Sequence, residues 1–495
     1  MNISSTSGKK VLINSVIYSC SGLLLKCFSF FLLPLYTVYL TTEDYGINSL
    51  ATSFITTMSF VVAFSLFSAV MRFYVDLKEN PHKLKRFYGT ITVFVFLSNC
   101  VFAVVLTVFR KLVSKYIFSG IDFYPIIFVT IISLIFYCEY SIFDNILRSQ
   151  QRALKSSICS ILFFLLSVSL NIYFVVICKY GALGTLLATL IGYVVYTMYF
   201  VFEMSLNHTI EFCLDIKLLK EALKYSVPIM PHNLSTQIAV FVSKLFIGGT
   251  ASLGGLGIYT VATQFGSIAD TIQCYVDNAY GPWLYEKLHK KEVNYKKSIR
   301  EIVKLLISVI GLFFLGISLF AQDYIVLFIN KSYVEAWKFV PLIVSVYAIK
   351  TMYYFFVEIL FYYKEASKKL FWATLTSSLL NIGLSYFFIP ALGVYGSILA
   401  DALAMIVRVI IVVVLSRSYE EIGLKVKDFI SNFILVECFI FGGLFMAYIK
   451  YQTTFSLVNL LYKIMVIILY IIVIGIVNRK QMKVVVNYIK NKLHK

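Results

Sequence analysis

Long apolar runs recur along almost the whole chain, and they constrain its fold more than any other feature. The sequence has 495 residues, of which 60% are hydrophobic and only 14% are charged. A soluble domain cannot bury that much apolar surface, whereas about twenty consecutive apolar residues are enough for a helix to cross a bilayer. Runs of this length occur about fourteen times, from 13–40 to 457–477. The sequence therefore predicts an all-α integral membrane protein with about 14 transmembrane helices.

An internal duplication divides these runs into two sets. Leu170–Leu190 and Leu380–Leu403 both read Leu-Asn-Ile, then about ten mostly apolar residues, then Gly-x-x-Gly. The two segments lie about 210 residues apart, and the segment that begins at Gly46 recurs at Gly257 with nearly the same offset. Many transporter folds are built from such repeats, with the substrate path between the halves. We therefore expect two pseudo-symmetric six-helix lobes plus two C-terminal helices.

The duplication and the loops together predict five segments. They are an N-terminal six-helix lobe (1–204), a cytoplasmic linker with a surface helix (205–222), a C-terminal six-helix lobe (223–417), a pair formed by helices 13 and 14 (418–477) and a basic amphipathic cytoplasmic tail (478–495). The surface helix is expected because Ile216, Leu219 and Leu223 recur at helical spacing among charged residues.

The basic residues fall mainly on one side of the predicted spans. The chain holds 44 Lys and Arg against 25 Asp and Glu, a formal charge of +19. Thirty-one of the basic residues lie in the two termini and every second connection, and seven lie in the connections of the other side. Because cytoplasmic loops are enriched in Lys and Arg, both termini are predicted to be cytoplasmic. The excess charge then indicates contact with anionic membrane lipid and gives no reason to expect a nucleic acid.

The polar residues form no pattern that is typical of a cofactor site. The nine cysteines include no Cys-x-x-Cys pair, and most of them stand within apolar runs, as small buried side chains do. Neither a nucleotide-binding loop nor the spacing of a metal site occurs in the sequence. We therefore expect no cofactor, no metal and no ATP-driven transport by this chain itself.

Several segments carry a resemblance to a known family. Pro34–Gly46 reads PLYTVYLTTEDYG, Leu218–Pro231 reads LLKEALKYSVPIMP, and the two Leu-Asn-Ile … Gly-x-x-Gly segments complete the pattern. Together with the length, the span count and the duplication, they resemble the Wzx-type polysaccharide or O-antigen flippases of the multidrug/oligosaccharidyl-lipid/polysaccharide exporter superfamily. The resemblance covers nearly the whole chain.

This resemblance implies a multi-pass protein of the bacterial cytoplasmic (inner) membrane that acts in lipopolysaccharide or other polysaccharide biosynthesis. It implies that undecaprenyl-diphosphate-linked oligosaccharide is carried across the membrane by alternating access between two lobes. A cationic central cavity and coupling to an ion gradient are part of the same expectation. Other membrane proteins of polysaccharide assembly are further expected partners, and no catalytic residue is expected.

Charged side chains inside the predicted spans are the candidate functional residues. A charge at the bilayer centre costs about 2.5–3.5 kcal/mol on insertion scales, so each one needs a reason. Basic side chains that line a polar cavity would receive a lipid diphosphate, and the candidates for this contact are Lys26, Arg72, Lys350 and Lys244. Membrane carboxylates can exchange a proton or a sodium ion, and the candidates for ion coupling or gating are Asp270, Asp277, Glu139 and Asp144.

Depth in the span separates these candidates. Lys26 and Lys350 lie near the middle of spans one and ten, and Lys26 is too deep to reach the interface easily, which favours contact with substrate. Lys350 and Glu139 occupy duplicated positions, so they either pair with each other or Lys350 contacts substrate. Lys244 and Lys463 lie near outer span ends, where snorkelling to the interface is the favoured interpretation.

Two other functions fit parts of the sequence. A drug exporter of the same superfamily is the nearest alternative, although such exporters usually have fewer spans and fewer basic cavity residues. A membrane glycosyltransferase or polymerase that uses polyprenyl sugars is another, because Glu43 and Asp44 form an acidic pair in the first outer loop. Such enzymes need a large outer loop, and no outer loop here exceeds about twenty residues. We therefore expect this pair to be part of a solvated loop and not a catalytic site.

Overall fold

The computed structural model describes residues 3–291 and 293–479, which are helical almost throughout and contain no β-strand. The first half holds α1 (Ile3–Phe31), α2 (Leu33–Tyr39), α3 (Thr42–Val62), α4 (Leu66–Leu77), α5 (Pro81–Val108), α6 (Arg110–Leu112), α7 (Phe128–Ser149), α8 (Ala153–Asn171), α9 (Gly181–Leu206), α10 (Ile216–Ser226) and α11 (Met230–Phe246). The second half holds α12 (Leu253–Lys290), α13 (Tyr295–Phe328), α14 (Ala336–Tyr362), α15 (Lys364–Leu392), α16 (Val394–Tyr419), α17 (Val426–Ile449) and α18 (Leu457–Val477). The predicted tail, 478–495, lies almost wholly outside the described residues.

The chain is a multi-pass membrane protein of the predicted all-α class. Twelve stretches among the described residues are long and apolar enough to cross a bilayer, and the bent pair of α3 and α4 raises the number to thirteen. This pair bends by 51° where Phe64 and Ser65 adopt positive φ angles. The remaining predicted span, 257–283, is part of the 38-residue helix α12, which is long enough to cross but is less apolar than the others.

Two compact units make up the chain, Met1–Gly257 and Ile258–Lys495. The first unit contains α1 to α11 and the beginning of α12, and the second contains the rest of α12 and α13 to α18. Helix α11 belongs to the first unit because it packs along α3. The lobe boundaries at 204 and 223 were derived from the sequence repeat, and they stay a prediction about that repeat.

The duplicated glycines Gly46 and Gly257 contact each other in the first unit. A Cβ atom on Gly46 would lie 2.0 Å from the carbonyl oxygen of Leu253, and one on Gly257 would lie 1.9 Å from the carbonyl oxygen of Thr42. Thr42 and Leu253 each precede the glycine of their own helix by four residues, so the contact is symmetric in the repeat. Such close backbone approach between membrane helices requires residues without a side chain.

The repeated Gly-x-x-Gly motif is a helical hairpin in both halves. The first glycine of each pair, Gly181 or Gly393, adopts a positive φ of 56° or 58° where the chain turns into the next helix. A Cβ atom on the second glycine, Gly184 or Gly396, would lie 3.1 or 2.2 Å from a carbonyl oxygen of the preceding helical segment. The motif therefore serves one tight turn and one close helix contact.

The linker contains a helix, α10, where the sequence predicted one, and the linker packs on α5; its position along the membrane surface stays a prediction. Asp215 accepts hydrogen bonds from the backbone amides at the start of α10 at 3.0 and 3.2 Å, and it forms an ion pair of 3.2 Å with Arg86. A Cβ atom on Gly89 would lie 1.7 Å from the carbonyl oxygen of Glu211, so the linker backbone rests directly on α5. Capping and the ion pair together fix where α10 begins.

Lys463 is fully buried, so the snorkelling interpretation of this residue is wrong. Its Nζ lies 2.6 Å from Oδ2 of Asp323 and donates a hydrogen bond of 2.6 Å to Oε1 of Gln322. Asn459 donates to the same Gln322 oxygen at 3.0 Å. Because Asp323 of α13 lies next to Lys463, the ammonium group is neutralised inside the protein and does not extend to the membrane interface. This cluster holds α18 against α13 in the second unit.

Lys463→Met should lower the free energy of unfolding by about 3–5 kcal/mol, because it leaves the Asp323 carboxylate buried without its cation. The double variant Lys463→Met/Asp323→Leu should recover most of that loss, since an apolar pair of similar volume can replace a buried ion pair. Denaturation of the purified protein in detergent measures both. A double variant no more stable than the single one would contradict this account of the cluster.

Gly46→Ala should lower the thermal stability of the protein, because its Cβ would overlap the Leu253 carbonyl and force the two helices apart. Overpacking of this kind typically costs about 1–3 kcal/mol. Gly316→Ala is the matched control, since that glycine also lies within a helix but has nothing within 4 Å of an added Cβ. The control should unfold at the wild-type temperature or slightly above it. Equal melting temperatures for the two variants would refute the close contact.

Glu420, in the loop after α16, joins three neighbouring segments of the second unit. Its carboxylate accepts hydrogen bonds from the hydroxyls of Tyr363 and Tyr295 and forms an ion pair of 3.1 Å with Lys291. Burial alone would raise the pKa of this carboxyl, but the hydrogen bonds of Tyr363, Lys291 and Tyr295 outweigh burial and lower the pKa. The ionised form is therefore stabilised by folding.

Glu420→Gln should be less stable than wild type at pH 7, and the gap should close as the pH falls. A lowered pKa gives stability that is fully present above the unfolded pKa of about 4.3 and is lost as the pH drops through the folded value. Melting temperatures at pH 7 and at successive values below about 4.3 test this. A gap that stays constant over that range would exclude the ionised carboxylate as its source.

Candidate functional site

Helices α12 and α14 lie against each other in the second unit and carry its main polar cluster. Glycines let them approach at two levels. A Cβ atom on Gly266 would lie 2.6 Å from Cγ2 of Ile343, and one on Gly281 would lie 2.7 Å from Oε2 of Glu358. About four helical turns separate these levels, and the polar side chains lie between them.

An ion pair between Lys350 and Asp270 stands at the centre of this interface. Nζ of Lys350 donates to Oδ1 of Asp270 at 2.7 Å, and the hydroxyl of Tyr354 donates to the same oxygen at 3.2 Å. Nζ also lies 5.1 and 5.5 Å from the ring centroids of Tyr354 and Tyr347, within cation–π range. The carboxylate and the rings together offset the cost of a lysine in a membrane span.

The pair is only partly enclosed. The side chain of Lys350 is 20% exposed and that of Asp270 is 32% exposed, whereas the side chain of Lys463 in the other intramembrane pair is completely buried. A partly exposed lysine can exchange its carboxylate for another anion without first dismantling the packing around it. The Lys350–Asp270 pair therefore has the chemistry of an anion-binding site whose anion is at present a side chain.

The structure joins residues that the sequence assigned to different roles. Lys350 was a candidate for substrate contact and Asp270 for ion coupling, and the two form one pair. The ion pair of Lys350 in the second unit is formed with Asp270, and the pairing of Lys350 with Glu139 of the first unit stays a prediction. The tyrosines around Lys350 were missed, although their spacing of three and four residues from Lys350 places them near it on the helix surface.

Asp277 lies two turns beyond Asp270 on α12, next to a second carboxylate. Glu358 of α14 is buried and accepts a hydrogen bond from the hydroxyl of Tyr285. Asp277 lies within electrostatic range of Glu358 and Lys350, and its Oδ1 has no hydrogen-bond partner among the described residues. The α12–α14 interface thus carries three carboxylates and one lysine.

The carboxylates predicted for the first unit, Glu139 and Asp144, both lie on α7 but in different surroundings. Asp144 accepts hydrogen bonds from Arg148 at 2.6 Å and from Ser156 of α8 at 2.9 Å. Glu139 is buried, and within the described part of the chain neither of its carboxylate oxygens has a hydrogen-bond partner. Asp144 thus holds α7 to α8, and Glu139 is the candidate here that is poised to take a proton or a ligand.

The other basic candidates lie in the first unit on three different helices. Arg72 of α4 forms an ion pair of 2.5 Å with Asp76, and both side chains are half exposed. Lys244 is half-buried in the last turn of α11, and Lys26 is exposed at the protein surface on α1. Lys350 differs from Arg72 in lying in a partly enclosed pair, with 20% of its side chain exposed against 50% for Arg72.

The acidic pair Glu43–Asp44 lies at the start of α3, and both carboxylate oxygens of Asp44 accept hydrogen bonds from neighbouring groups. Its Oδ2 accepts hydrogen bonds from the backbone amide and the hydroxyl of Thr41 at 3.0 and 2.7 Å, and its backbone amide donates to the Thr41 hydroxyl oxygen at 3.1 Å, which completes a capping box. Its Oδ1 accepts from the backbone amide of Ala182 at 2.9 Å, at the start of α9. Both carboxylate oxygens therefore fix helix starts.

Comparison with known proteins gives one family and one fold. A family model described as "Polysaccharide biosynthesis protein" matches residues 11–286, and no curated protein sequence gives a significant match. The chain is similar to a structure titled "Lipid II flippase MurJ, inward closed conformation", with a TM-score of 0.69 and 18% identity over 94% of this chain and 100% of that chain.

Structures of "a multidrug resistance MATE family transporter of the MOP superfamily" are also similar. The inward-facing one has a TM-score of 0.55 and 16% identity, and covers 80% of this chain and 93% of its own. The outward-facing one has a TM-score of 0.53 and 16% identity, and covers 83% of this chain and 95% of its own. At these identities the likeness shows the fold alone, and it confirms the predicted all-α integral membrane fold.

Proposed function

The chain belongs to the family of polysaccharide biosynthesis proteins, and from this premise we propose that it is a flippase for undecaprenyl-diphosphate-linked oligosaccharide units. Its family and fold are those of a flippase or transporter of polysaccharide biosynthesis. The finer proposal adds the lipid-linked substrate, alternating access as the mechanism and an ion gradient as the driving force.

The Lys350–Asp270 pair is the observation that carries the proposal. A lipid diphosphate cannot enter hydrocarbon unless cations neutralise it, and Lys350 is a cation at membrane depth whose present anion is a partly exposed side chain. A unit-charge pair at 4 Å gains about 4 kcal/mol at an effective dielectric near 20, which is enough to offset the insertion cost of one lysine. A phosphate that approaches the pair competes with Asp270 for the same Nζ.

This competition provides the proposed link to an ion gradient. When phosphate takes Lys350, the Asp270 carboxylate loses its cation and becomes a site for a proton or a sodium ion. When the ion leaves, Asp270 recovers Lys350 and expels the phosphate. Asp277 stands on the same helix as a second coupling carboxylate, and Glu139 and Asp144 keep their proposed gating or coupling role in the first unit. Lys26, Arg72 and Lys244 are proposed as further contacts of the diphosphate.

The remaining parts of the proposal follow from the substrate. The protein would lie in the bacterial inner membrane with both termini in the cytoplasm, as the distribution of basic residues predicts. It would carry out no catalysis and would work with the other membrane proteins that assemble polysaccharide, in contact with anionic lipid. The same pair would also accept other anions. Export of an anionic drug in place of a lipid-linked sugar would therefore favour the drug exporter as the function.

Lys350→Gln should lower the rate of flipping at least tenfold in proteoliposomes that contain a lipid-linked oligosaccharide. The reason is that a hydrogen bond to a charged group contributes about 1.5–3 kcal/mol, and tenfold corresponds to about 1.4 kcal/mol. Lys350→Arg, which keeps the charge, should retain part of the rate. The measurement is the fraction of substrate that becomes accessible to an impermeant glycosidase with time.

Lys338→Gln is the matched control, because Lys338 lies on the same helix and is likewise in an ion pair. It lies 2.7 Å from Glu335, and its side chain is 21% exposed against 20% for Lys350. The control should flip at the wild-type rate. If Lys350→Gln and Lys338→Gln flip equally fast, Lys350 is not the phosphate contact. Accumulation of lipid-linked units on the cytoplasmic leaflet of cells without this gene tests the substrate class independently.

A further inference from the structure

A long apolar groove runs between α8 and α9 on the surface of the first unit. Its volume is about 450 Å³, within the range of about 300–1,000 Å³ that is usual for ligand sites. Residues from Leu154 to Leu166 form its α8 wall, and residues from Gly192 to Tyr199 form its α9 wall. Lys155, at one end, is the one charged side chain among the described residues that line the groove.

The groove opens toward the hydrocarbon of the membrane. Ile158 and Leu162 on one wall and Val195 on the other are exposed on the protein surface. Both helices are long and apolar enough to cross a bilayer, and α8 belongs to the least buried of the twelve apolar stretches of the described chain. The molecules that cover these side chains in a membrane are therefore lipid chains.

The length of the groove matches the thickness of one leaflet. Leu154 and Leu166 are 12 residues apart, which is about 18 Å along a helix. The hydrocarbon core of a bilayer is about 30 Å thick, so one leaflet contributes about 15 Å. One acyl chain of a phospholipid can therefore lie along the groove with its headgroup at the Lys155 end.

Aromatic contacts hold the walls of the groove in place. A Cβ atom on Gly192 would lie 3.0 Å from the ring of Phe163, so the glycine leaves room for this ring. The Phe163 ring stacks on that of Tyr193 with 5.3 Å between the centroids, and the Tyr196 ring lies 4.6 Å from that of Phe200. The groove is thus formed before a ligand enters, which reduces the entropy lost on binding.

The end of the groove at the start of α8 is positively charged. Nζ of Lys155 lies 2.6 Å from Oε1 of Glu203, and an ammonium group has three donors, so two remain for another acceptor. Arg152 directly precedes α8, is exposed and forms no ion pair with the described residues. The helix N-terminus adds the positive end of its dipole. An anionic headgroup is therefore favoured here over a neutral one.

We propose that this groove binds one acyl chain of an anionic glycerophospholipid, whose phosphate contacts Arg152 and Lys155. The two residues are three positions apart at the start of α8, close enough for one phosphate to reach both. Basic pockets between membrane helices on the cytoplasmic side bind anionic headgroups, and the distribution of basic residues predicts that this end is cytoplasmic. The bound lipid belongs to the first unit and does not depend on the proposed transport substrate.

Lipid titration of the purified full-length protein in detergent tests the site. Phosphatidylglycerol is compared with phosphatidylcholine of the same acyl chains, and bound lipid is counted by native mass spectrometry. Wild type should retain one phosphatidylglycerol in preference to phosphatidylcholine, and its melting temperature should rise by several degrees, because a ligand that binds only the folded state raises its stability.

Ile158→Trp should weaken the apparent affinity for phosphatidylglycerol at least tenfold, because the larger side chain fills the groove. Leu165→Trp is the matched control, since Leu165 lies on the same helix and is 53% exposed against 48% for Ile158, but does not line the groove. The control should bind as wild type does. Wild-type affinity in Ile158→Trp would overturn the proposal.

Arg152→Gln tests the headgroup contact and should abolish the preference for phosphatidylglycerol over phosphatidylcholine. Lys78→Gln, which removes another exposed basic side chain of the first unit, should leave that preference unchanged. Equal binding of the two lipids by wild type would mean an unselective contact with the surrounding bilayer, and it would refute the site.

Undecaprenyl phosphate is the competing occupant. If it displaces phosphatidylglycerol at a much lower concentration, the groove holds the prenyl chain of a substrate and the phospholipid proposal is wrong. Binding is measured without transport, so loss of phosphatidylglycerol from Ile158→Trp would support the site whether or not the protein flips a lipid-linked oligosaccharide. The two proposals can therefore fail separately.

Discussion

Every charge that lies inside a bilayer has to be neutralised by a neighbouring group, and this requirement shapes the chain more than any other. The second unit meets it in two ways. Lys463 is sealed between Asp323 and Gln322 and is inaccessible, so its pair is a structural joint between α13 and α18. Lys350 is held by one carboxylate and two aromatic rings and remains partly exposed. The same chemistry serves assembly in the first case and an exchangeable anion site in the second.

Close backbone contact is the constraint that arranges the helices around these pairs. In hydrocarbon the helices gain little from burying apolar side chains, so contact depends on small residues that let backbones approach. Gly46 and Gly257 form such a contact from equivalent positions of the repeat, and Gly266 and Gly281 bring α12 against α14. The glycines thus place polar side chains of facing helices within hydrogen-bond distance, where larger residues would hold them apart.

The helices and the repeat could be predicted from the sequence, because each depends on residues that are close together along the chain. Apolar runs of the length of a span predict the number and position of nearly all the membrane-crossing helices, and the recurring Leu-Asn-Ile … Gly-x-x-Gly segments predict the duplication. The span within α12 was predicted from its apolar run at 257–283, although α12 is less apolar than the other helices that are long enough to cross. The spacing of Ile216, Leu219 and Leu223 predicted the linker helix, because helical periodicity lies within one short segment.

The ion-pair partners of the lysines inside the spans could not be predicted, because these pairs join residues that are distant along the chain. Lys463 pairs with a residue 140 positions away, and Lys350 with one 80 positions away. A sequence shows the depth of each lysine but not the helix that faces it, so snorkelling was inferred for Lys463 and a pairing with Glu139 was considered for Lys350.

Charge balance connects the pairs of the α12–α14 interface into one system. Lys350 pairs with Asp270 in this structure, so an anion that takes Lys350 leaves the Asp270 carboxylate without its cation. An unpaired carboxylate in a membrane span is costly. On the proposed function, phosphate binding therefore favours the entry of a proton or a cation at Asp270 as the lysine is drawn away. Coupling between substrate and ion is then a consequence of two anions sharing one lysine.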